Sequence, residues 1–225
     1  EAGLGDDTEA EAEAEAGDDE DFEDSEDNEY EDLEGLEDEE DADLDAFEAL
    51  TSLASLREDA AATIEIPDFP EPGVLFRDIT GLFANGPAFK ELVELIGARY
   101  AGRIDAVAGL ESRGFILGAP VAAELGLGML TIRKAGKLPG EVIGVDYSLE
   151  YGSARMEIRP QSVREGQRVL IIDDVLATGG TARAAVDLLN QCGASVEALA
   201  VLMELDGLNG RSKLDGVTVE TALHV

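Results

Sequence analysis

The chain has 225 residues, with 51 Asp and Glu against 16 Lys and Arg, a net charge of -35 at pH 7 and one cysteine. That length suits one domain of ordinary size plus a tail, and neither a nucleic-acid nor a membrane partner is expected. Cys192 has no second cysteine to pair with, which points to a reducing cytoplasm; with no basic leader before an apolar run and no stretch of 18 apolar residues, neither secretion nor a membrane span is expected.

The acidity is uneven. Residues 1–60 hold 29 Asp and Glu against the single Arg57, while the remaining 165 residues carry a net of only -7. The alternating Glu-Ala run from Glu9 to Ala16 and the acidic clusters through Asp45 contain too few large apolar side chains to offset the entropy of folding. Residues 1–45 are therefore read as a disordered acidic tail and residues 46–225 as the folded domain. An interaction arm, a nucleic-acid mimic and a salt-adapted segment are alternatives to a plain solvated tail. The mildly acidic body argues against salt adaptation. Within 46–61, Phe47, Leu50, Leu53, Ala54 and Arg57 fall at helical spacing, so a docked helix is expected there.

From Ile64 to Arg77 three prolines hold the chain extended and exclude helix. Backbone amides left free in such a segment can read the edge of a flat ligand and Phe76 can stack on its face, although spacing alone fits Phe76 in the core equally well. Pro87 to Ala101 reads as an amphipathic helix with Phe89, Leu92, Val93, Ile96 and Tyr100 on one stripe. A strand from Ile104 to Leu110, a helix from about Gly114 to Leu125 and a strand from Met129 to Arg133 follow. This βαβ alternation predicts an α/β fold, a twisted and mostly parallel sheet flanked by helices, with its chemistry collected in loops at one end.

Two such loops carry charge. Glu111, Ser112 and Arg113 follow one strand, and Arg133, Lys134 and Lys137 follow the next. Cations gathered where strands end suit an anion of high charge density, for which pyrophosphate is the obvious candidate. From Ala135 to Arg159 the pattern breaks around Tyr147-Ser-Leu-Glu-Tyr151, and an excursion of that length inside a compact domain reads as a lid or hairpin.

Val169 to Thr181 reads Val-Leu-Ile-Ile-Asp-Asp-Val-Leu-Ala-Thr-Gly-Gly-Thr. The apolar start suits a strand covered on both faces, and Asp173 and Asp174 are expected at its carboxyl end, where open α/β sheets place their ligand crevice. The turn Ala177, Thr178, Gly179, Gly180, Thr181 then offers backbone N–H groups, two hydroxyls and the positive end of a helix closed by Gly193. A Gly-Gly-Thr by itself is compatible with an ordinary strand–turn–helix. Two carboxylates directly before it would repel a phosphate, so they are expected to face a donor-rich partner such as the vicinal hydroxyls of a ribose 5-phosphate. Cys192, on the apolar face of that helix, reads as core, and His224 has no Cys or His partner with which to bind a metal.

The stretch 169–181 resembles the phosphoribosyl-pyrophosphate motif of the type I phosphoribosyltransferases. Pro-Asp-Phe-Pro-Glu-Pro-Gly-Val-Leu-Phe-Arg-Asp-Ile-Thr, Gly-Leu-Glu-Ser-Arg-Gly-Phe, and Arg-Lys-Ala-Gly-Lys-Leu-Pro-Gly followed by Tyr-Ser-Leu-Glu-Tyr-Gly resemble the adenine phosphoribosyltransferases in particular. The resemblance covers Ile64 to about the C-terminus. It implies the type I phosphoribosyltransferase fold with a flexible hood, and transfer of a phosphoribosyl group to adenine with release of pyrophosphate. It places Leu75, Phe76 and Arg77 on the purine, Asp173, Asp174 and the Ala177–Thr181 turn on the ribose 5-phosphate, and Ser112, Arg113, Lys134 and Lys137 on pyrophosphate. It further implies that Arg133 serves the neighbouring subunit of a homodimer, that Glu150 manages the proton at adenine N7, and that Mg2+ travels with the substrate and needs no protein ligand. A binding-only regulator would need the 173–181 motif but not the hood, and an enzyme for another base would not need this proline-rich segment.

Overall fold

The computed structural model describes residues 64–68, 72, 75–148 and 152–225. The acidic tail 1–45, the helix expected within 46–61 and Glu150 lie outside the described residues. The proline-rich segment is a two-stranded antiparallel ribbon of β1 (Ile64–Pro67) and β2 (Leu75–Asp78), with Pro67 opposite Leu75 and Glu65 opposite Arg77. A short helix α1 (Thr80–Ala84) leads into α2 (Gly86–Tyr100), whose start is capped by the Asn85 side chain accepting from the Ala88 N–H. The expected stripe is the buried face of α2, with Leu92, Val93, Ile96 and Tyr100 all inside.

Next come β3 (Ala106–Leu110), α3 (Glu111–Glu124), β4 (Gly128–Lys134), the hairpin β5 (Ile143–Ser148) and β6 (Ser153–Ile158), β7 (Arg168–Leu176), α4 (Gly180–Gln191), β8 (Ser195–Glu204) and β9 (Thr218–His224). The main sheet has seven strands in the order β5-β6-β4-β3-β7-β8-β9. The β4–β3–β7–β8–β9 neighbours all pair in parallel, and β6 joins them antiparallel to β4. The mostly parallel α/β sheet is thus present, and the excursion after β4 is a hairpin extending it.

β7 shows why its sequence is apolar without alternation. Leu170 and Ile172 pack toward α2 and α3, while Val169 and Ile171 pack toward α4, so both faces are covered. The strand does not stop at the two carboxylates: it runs on to Leu176, because β8 pairs with it opposite Asp173 and Val175. α3 follows β3 directly, but its opening residues are not helical: Ser112 has φ 36° and ψ -94°, so Glu111, Ser112 and Arg113 form a tight turn ahead of the regular helix. Among the described residues no helix is long and apolar enough to cross a membrane.

Candidate active site

Two strand-to-helix turns meet at the carboxyl edge of the sheet. The first leaves β7 through Asp173 and Asp174 into Ala177–Thr181, and lines a cavity of ≈ 170 Å³. Gly179 has φ 75°, the left-handed conformation that lets the chain reverse immediately before α4. The first N–H groups of α4 have no partner within the helix and point with its positive end into this turn, which makes the turn an anion cradle. Thr181 Oγ1 donates to the Tyr147 hydroxyl on β5, 3.2 Å away, so the hairpin reaches the same turn.

The second turn leaves β3. Glu111 and Ser112 sit at φ 21° and 36°, a strained conformation for residues with side chains. Gly114 lies so close to β7 that an added Cβ would stand 2.8 Å from the Ile172 carbonyl oxygen and 3.2 Å from Asp173 Oδ1. That packing sets Arg113 beside the first turn, where its Nη1 pairs with Asp174 Oδ2 at 2.9 Å. Glu111 Oε1 accepts from Arg133 Nη2 at 2.8 Å and its Oε2 from the Lys134 N–H at 2.7 Å, tying the end of β4 to the start of α3. The Arg133 guanidinium lies 5.5 Å from the Phe115 ring centroid, and its Nε is buried without a hydrogen-bond partner among the described residues.

The carboxyls of the two turns are shifted in opposite directions. Burial, reinforced by the neighbouring Asp174 charge, holds the Asp173 carboxyl well above the usual carboxylate range. At Glu111 burial also acts upward, but the bonds from Arg133 and the Lys134 N–H outweigh it and the net shift is downward. Asp78, at the end of β2, is lowered first by the Thr80 N–H and hydroxyl and then by the charge of Arg113, so the ribbon ends within reach of the cationic turn.

The structure thus brings Asp173, Asp174, Arg113 and the Ala177–Thr181 turn together, and joins Glu111 to Arg133. Ser112 is exposed at the head of α3, and Lys134, the last residue of β4, and Lys137 beyond it are exposed with no ion-pair partner among the described residues. Leu75 and Arg77 lie on β2, Arg77 paired with Glu65 at 3.2 Å; Phe76 stands opposite Ile66. Two features escaped the sequence reading. The hydroxyl of Tyr147 was legible only as part of the hood motif, and the loop joining β8 to β9, which lies against Ala177–Gly179, carried no local signal. That loop borders Glu204, Asp206 and His224, whose ligand atoms lie close enough to hold a metal ion. Each already has a protein partner: Arg211 Nε donates to Glu204 Oε2 at 2.6 Å, and His224 Nδ1 stands 2.9 Å from Asp206 Oδ1.

Residues 82–221 match the model of the phosphoribosyl transferase domain family. The chain is 51% identical over 177 residues to the adenine phosphoribosyltransferase of a Nocardioides species, covering 76% of this chain and 95% of that protein. It is also 51% identical over 182 residues to that of Streptomyces galbus, covering 78% and 100%. Among solved structures it is similar to adenine phosphoribosyltransferase from Thermoanaerobacter pseudethanolicus, with TM-score 0.73, 43% identity, and coverage of 76% of this chain and 99% of that one. The Saccharomyces cerevisiae enzyme, solved with adenine and an imino-altritol bisphosphate, gives TM-score 0.70 and 42% identity, covering 75% and 98%. With the paired carboxylates, the glycine turn and the cationic loop all on one edge of this sheet, the chain belongs to the adenine phosphoribosyltransferase family.

Proposed function

We propose that the chain transfers the 5-phosphoribosyl group of phosphoribosyl pyrophosphate to adenine, giving AMP and pyrophosphate in purine salvage. The observation that carries this reading is the pair Asp173 and Asp174 running directly into a glycine-built anion turn, with Arg113 of the neighbouring loop set against them. Breaking the anomeric C–O bond builds positive charge on the ribose and negative charge on the leaving diphosphate, so carboxylates near the sugar and cations near the leaving group stabilise the transition state. Asp173 and Asp174 hold the ribose hydroxyls, Ala177, Thr178, Gly179, Gly180 and Thr181 hold the 5-phosphate, and Ser112, Arg113, Lys134 and Lys137 hold the diphosphate. Glu150 manages the proton at adenine N7 as N9 attacks. The substrate enters as its Mg2+ complex, the ion neutralising diphosphate oxygens. The family resemblance further supports a cytoplasmic homodimer in which Arg133 serves the neighbouring subunit.

Adenine is favoured by the backbone of β2. Pro67 stands opposite Leu75 and has no N–H to give it, which favours a ladder whose bonded pair is Ile66 with Phe76. A ladder of that parity would leave the backbone groups of Leu75 and Arg77 on the outer edge of the ribbon. A carbonyl beside an N–H complements the 6-amino group and N1 of adenine and opposes a 6-oxopurine. An unpaired buried polar group costs roughly 1–3 kcal/mol, so two mismatched groups give discrimination on the order of a thousand-fold. The test is pyrophosphate release with phosphoribosyl pyrophosphate, magnesium and a panel of bases. Turnover with adenine is expected; comparable kcat/KM for hypoxanthine would overturn the base assignment, and substrate binding without turnover would make the protein a binding-only regulator.

A further inference from the structure

The loop between β8 and β9 belongs to none of the groups assigned above. It consists of two short 3-10 turns, Asp206–Leu208 and Gly210–Lys213, separated by Asn209 at φ 50°. From residue 206 to 213 every position but Gly210 is exposed. Gly210 is buried because it lies directly on the backbone of the 5-phosphate turn. A Cβ at Gly210 would stand 2.2 Å from the Ala177 carbonyl oxygen and 3.1 Å from the Gly179 nitrogen, and a Cβ at Gly179 would stand 2.3 Å from the Gly210 carbonyl oxygen. The two backbones meet here, with the Leu176 side chain packed beside them, its Cγ 3.0 Å from where that Cβ would stand at Gly210. Both ends of the loop are fastened. Leu205 N–H donates to the Leu176 carbonyl at 2.9 Å, and Arg211 donates Nε to the buried Glu204 carboxylate at 2.6 Å and Nη1 to the Val219 carbonyl at 2.7 Å.

We propose that Gly210 is a positioning residue for the 5-phosphate turn, and that the Arg211–Glu204 pair holds it in place. The inference rests on reading Ala177–Thr181 as the 5-phosphate site. Gly179 and Gly180 give that turn the freedom to bring N–H groups to an anion, and the same freedom would cost binding energy if the turn had to be ordered by each incoming substrate. A wall of backbone at Gly210 removes that freedom beforehand. It also gives the buried Glu204 a role within the fold: it anchors the loop through Arg211. Displacement of a binding group by about 1 Å can cost roughly a hundredfold, so the contact matters to affinity even though Gly210 touches no ligand.

The experiment compares Gly210→Ala, Arg211→Met, Arg211→Lys and Thr181→Val in the full chain. Steady-state kinetics for both substrates, inhibition by ribose 5-phosphate and thermal midpoints are measured for each. Gly210→Ala is expected to raise KM for phosphoribosyl pyrophosphate about tenfold and weaken ribose 5-phosphate inhibition in parallel, leaving KM for adenine within about twofold. Arg211→Met is expected to shift the same constants by about threefold, with Arg211→Lys recovering part of the loss, so the proposal stays testable if Gly210→Ala does not fold. A lowered midpoint with unchanged constants in the folded variants, or equal rises in both KM values, would overturn it. Thr181→Val separates the two readings. If that variant leaves phosphoribosyl pyrophosphate binding intact, the 5-phosphate assignment fails; if it weakens binding and the Gly210 and Arg211 variants do not, only the positioning role fails.

Discussion

The two turns that meet at the site are built from the same parts and solve their local problem in opposite ways. β3 and β7 are adjacent and parallel, with Gly109 opposite Ile172, and each passes at the same edge into a turn and a helix. After β7 the left-handed position falls on Gly179 and the turn is locked by backbone contact with Gly210. After β3 the positive φ angles fall on Glu111 and Ser112, and what holds the turn is charge: Glu111 to Arg133 and Arg113 to Asp174. A glycine turn serves where the ligand is met by N–H groups, since it has no side chain to place. Where a carboxylate, a hydroxyl and a guanidinium must be aimed from three successive residues, glycine is unusable and the strain of about 1–3 kcal/mol per residue is retained.

The largest effect is expected where the two turns share a group. Replacing both Asp173→Asn and Asp174→Asn removes the charge opposite the developing ribosyl cation and releases Arg113. A fall in kcat/KM for phosphoribosyl pyrophosphate on the order of a thousand-fold is expected, and steady-state kinetics with the substrate varied from low to saturating levels measure it. Full activity in the double variant would make both residues structural. Arg113→Ala strikes the other side of the same ion pair. Charge-assisted hydrogen bonds contribute about 1.5–3 kcal/mol, so a loss of about 10- to 100-fold, appearing mainly in KM for the diphosphate substrate, is the expected result.

Ser112→Gly sharpens the contrast by giving the strained turn the residue that the relaxed turn uses. Relief of the positive φ should exceed the added entropy of the unfolded glycine and raise stability by about 1 kcal/mol, which is about 2–4 °C in thermal midpoint for a domain of this size. The same change removes a hydroxyl from the diphosphate loop, so a several-fold rise in KM is expected alongside the gain in midpoint. A lowered midpoint would show that the φ at Ser112 is not a source of strain.

The same contrast governs what could be read from sequence. The β7 turn was legible because its strand, carboxylates, glycines and helix lie within thirteen consecutive residues, from Val169 to Thr181. Its wall was not, since Gly210 is far away in the chain and nothing near it marks a contact with Gly179. The β3 turn was legible as a cluster of charge, but the partner of each charge was hidden, because Glu111 meets Arg133 and Arg113 meets Asp174 only once β4 and β7 flank β3. The strand carrying Asp173 and Asp174 extends beyond its expected end for a related reason. Two aspartates are poor strand formers, and only pairing with β8 carries the strand through them. At the ends of the proline-rich segment the expected extended chain is present as β1 and β2, while the register that sets Pro67 opposite Leu75 is not a property that propensity reveals.

The smallest effect concerns stability against pH, where the two turns should differ in sign. The Asp173 carboxyl lies above its ordinary value of 3.8 because of burial and Asp174, so in the window above 3.8 the folded state holds a proton that the unfolded state has released, and stability falls as pH rises through the native value. Asp173→Asn removes that buried charge. Its thermal midpoint should exceed that of the parent at neutral pH, with the excess shrinking as acid protonates Asp173 in the parent. Glu111 lies below its ordinary value of 4.5, so its pairing contributes stability that is present above 4.5 and lost as pH falls through the lowered native value. Glu111→Gln should therefore melt below the parent at neutral pH, and that deficit too should close in acid. Glu111 is partly exposed, which keeps its effect the smaller of the two. Midpoints of the three proteins measured at a series of pH values test both signs together. Differences of the same sign at neutral pH would mean that the two turns are held by the same kind of interaction, and the distinction between a turn locked by backbone and a turn held by charge would fall.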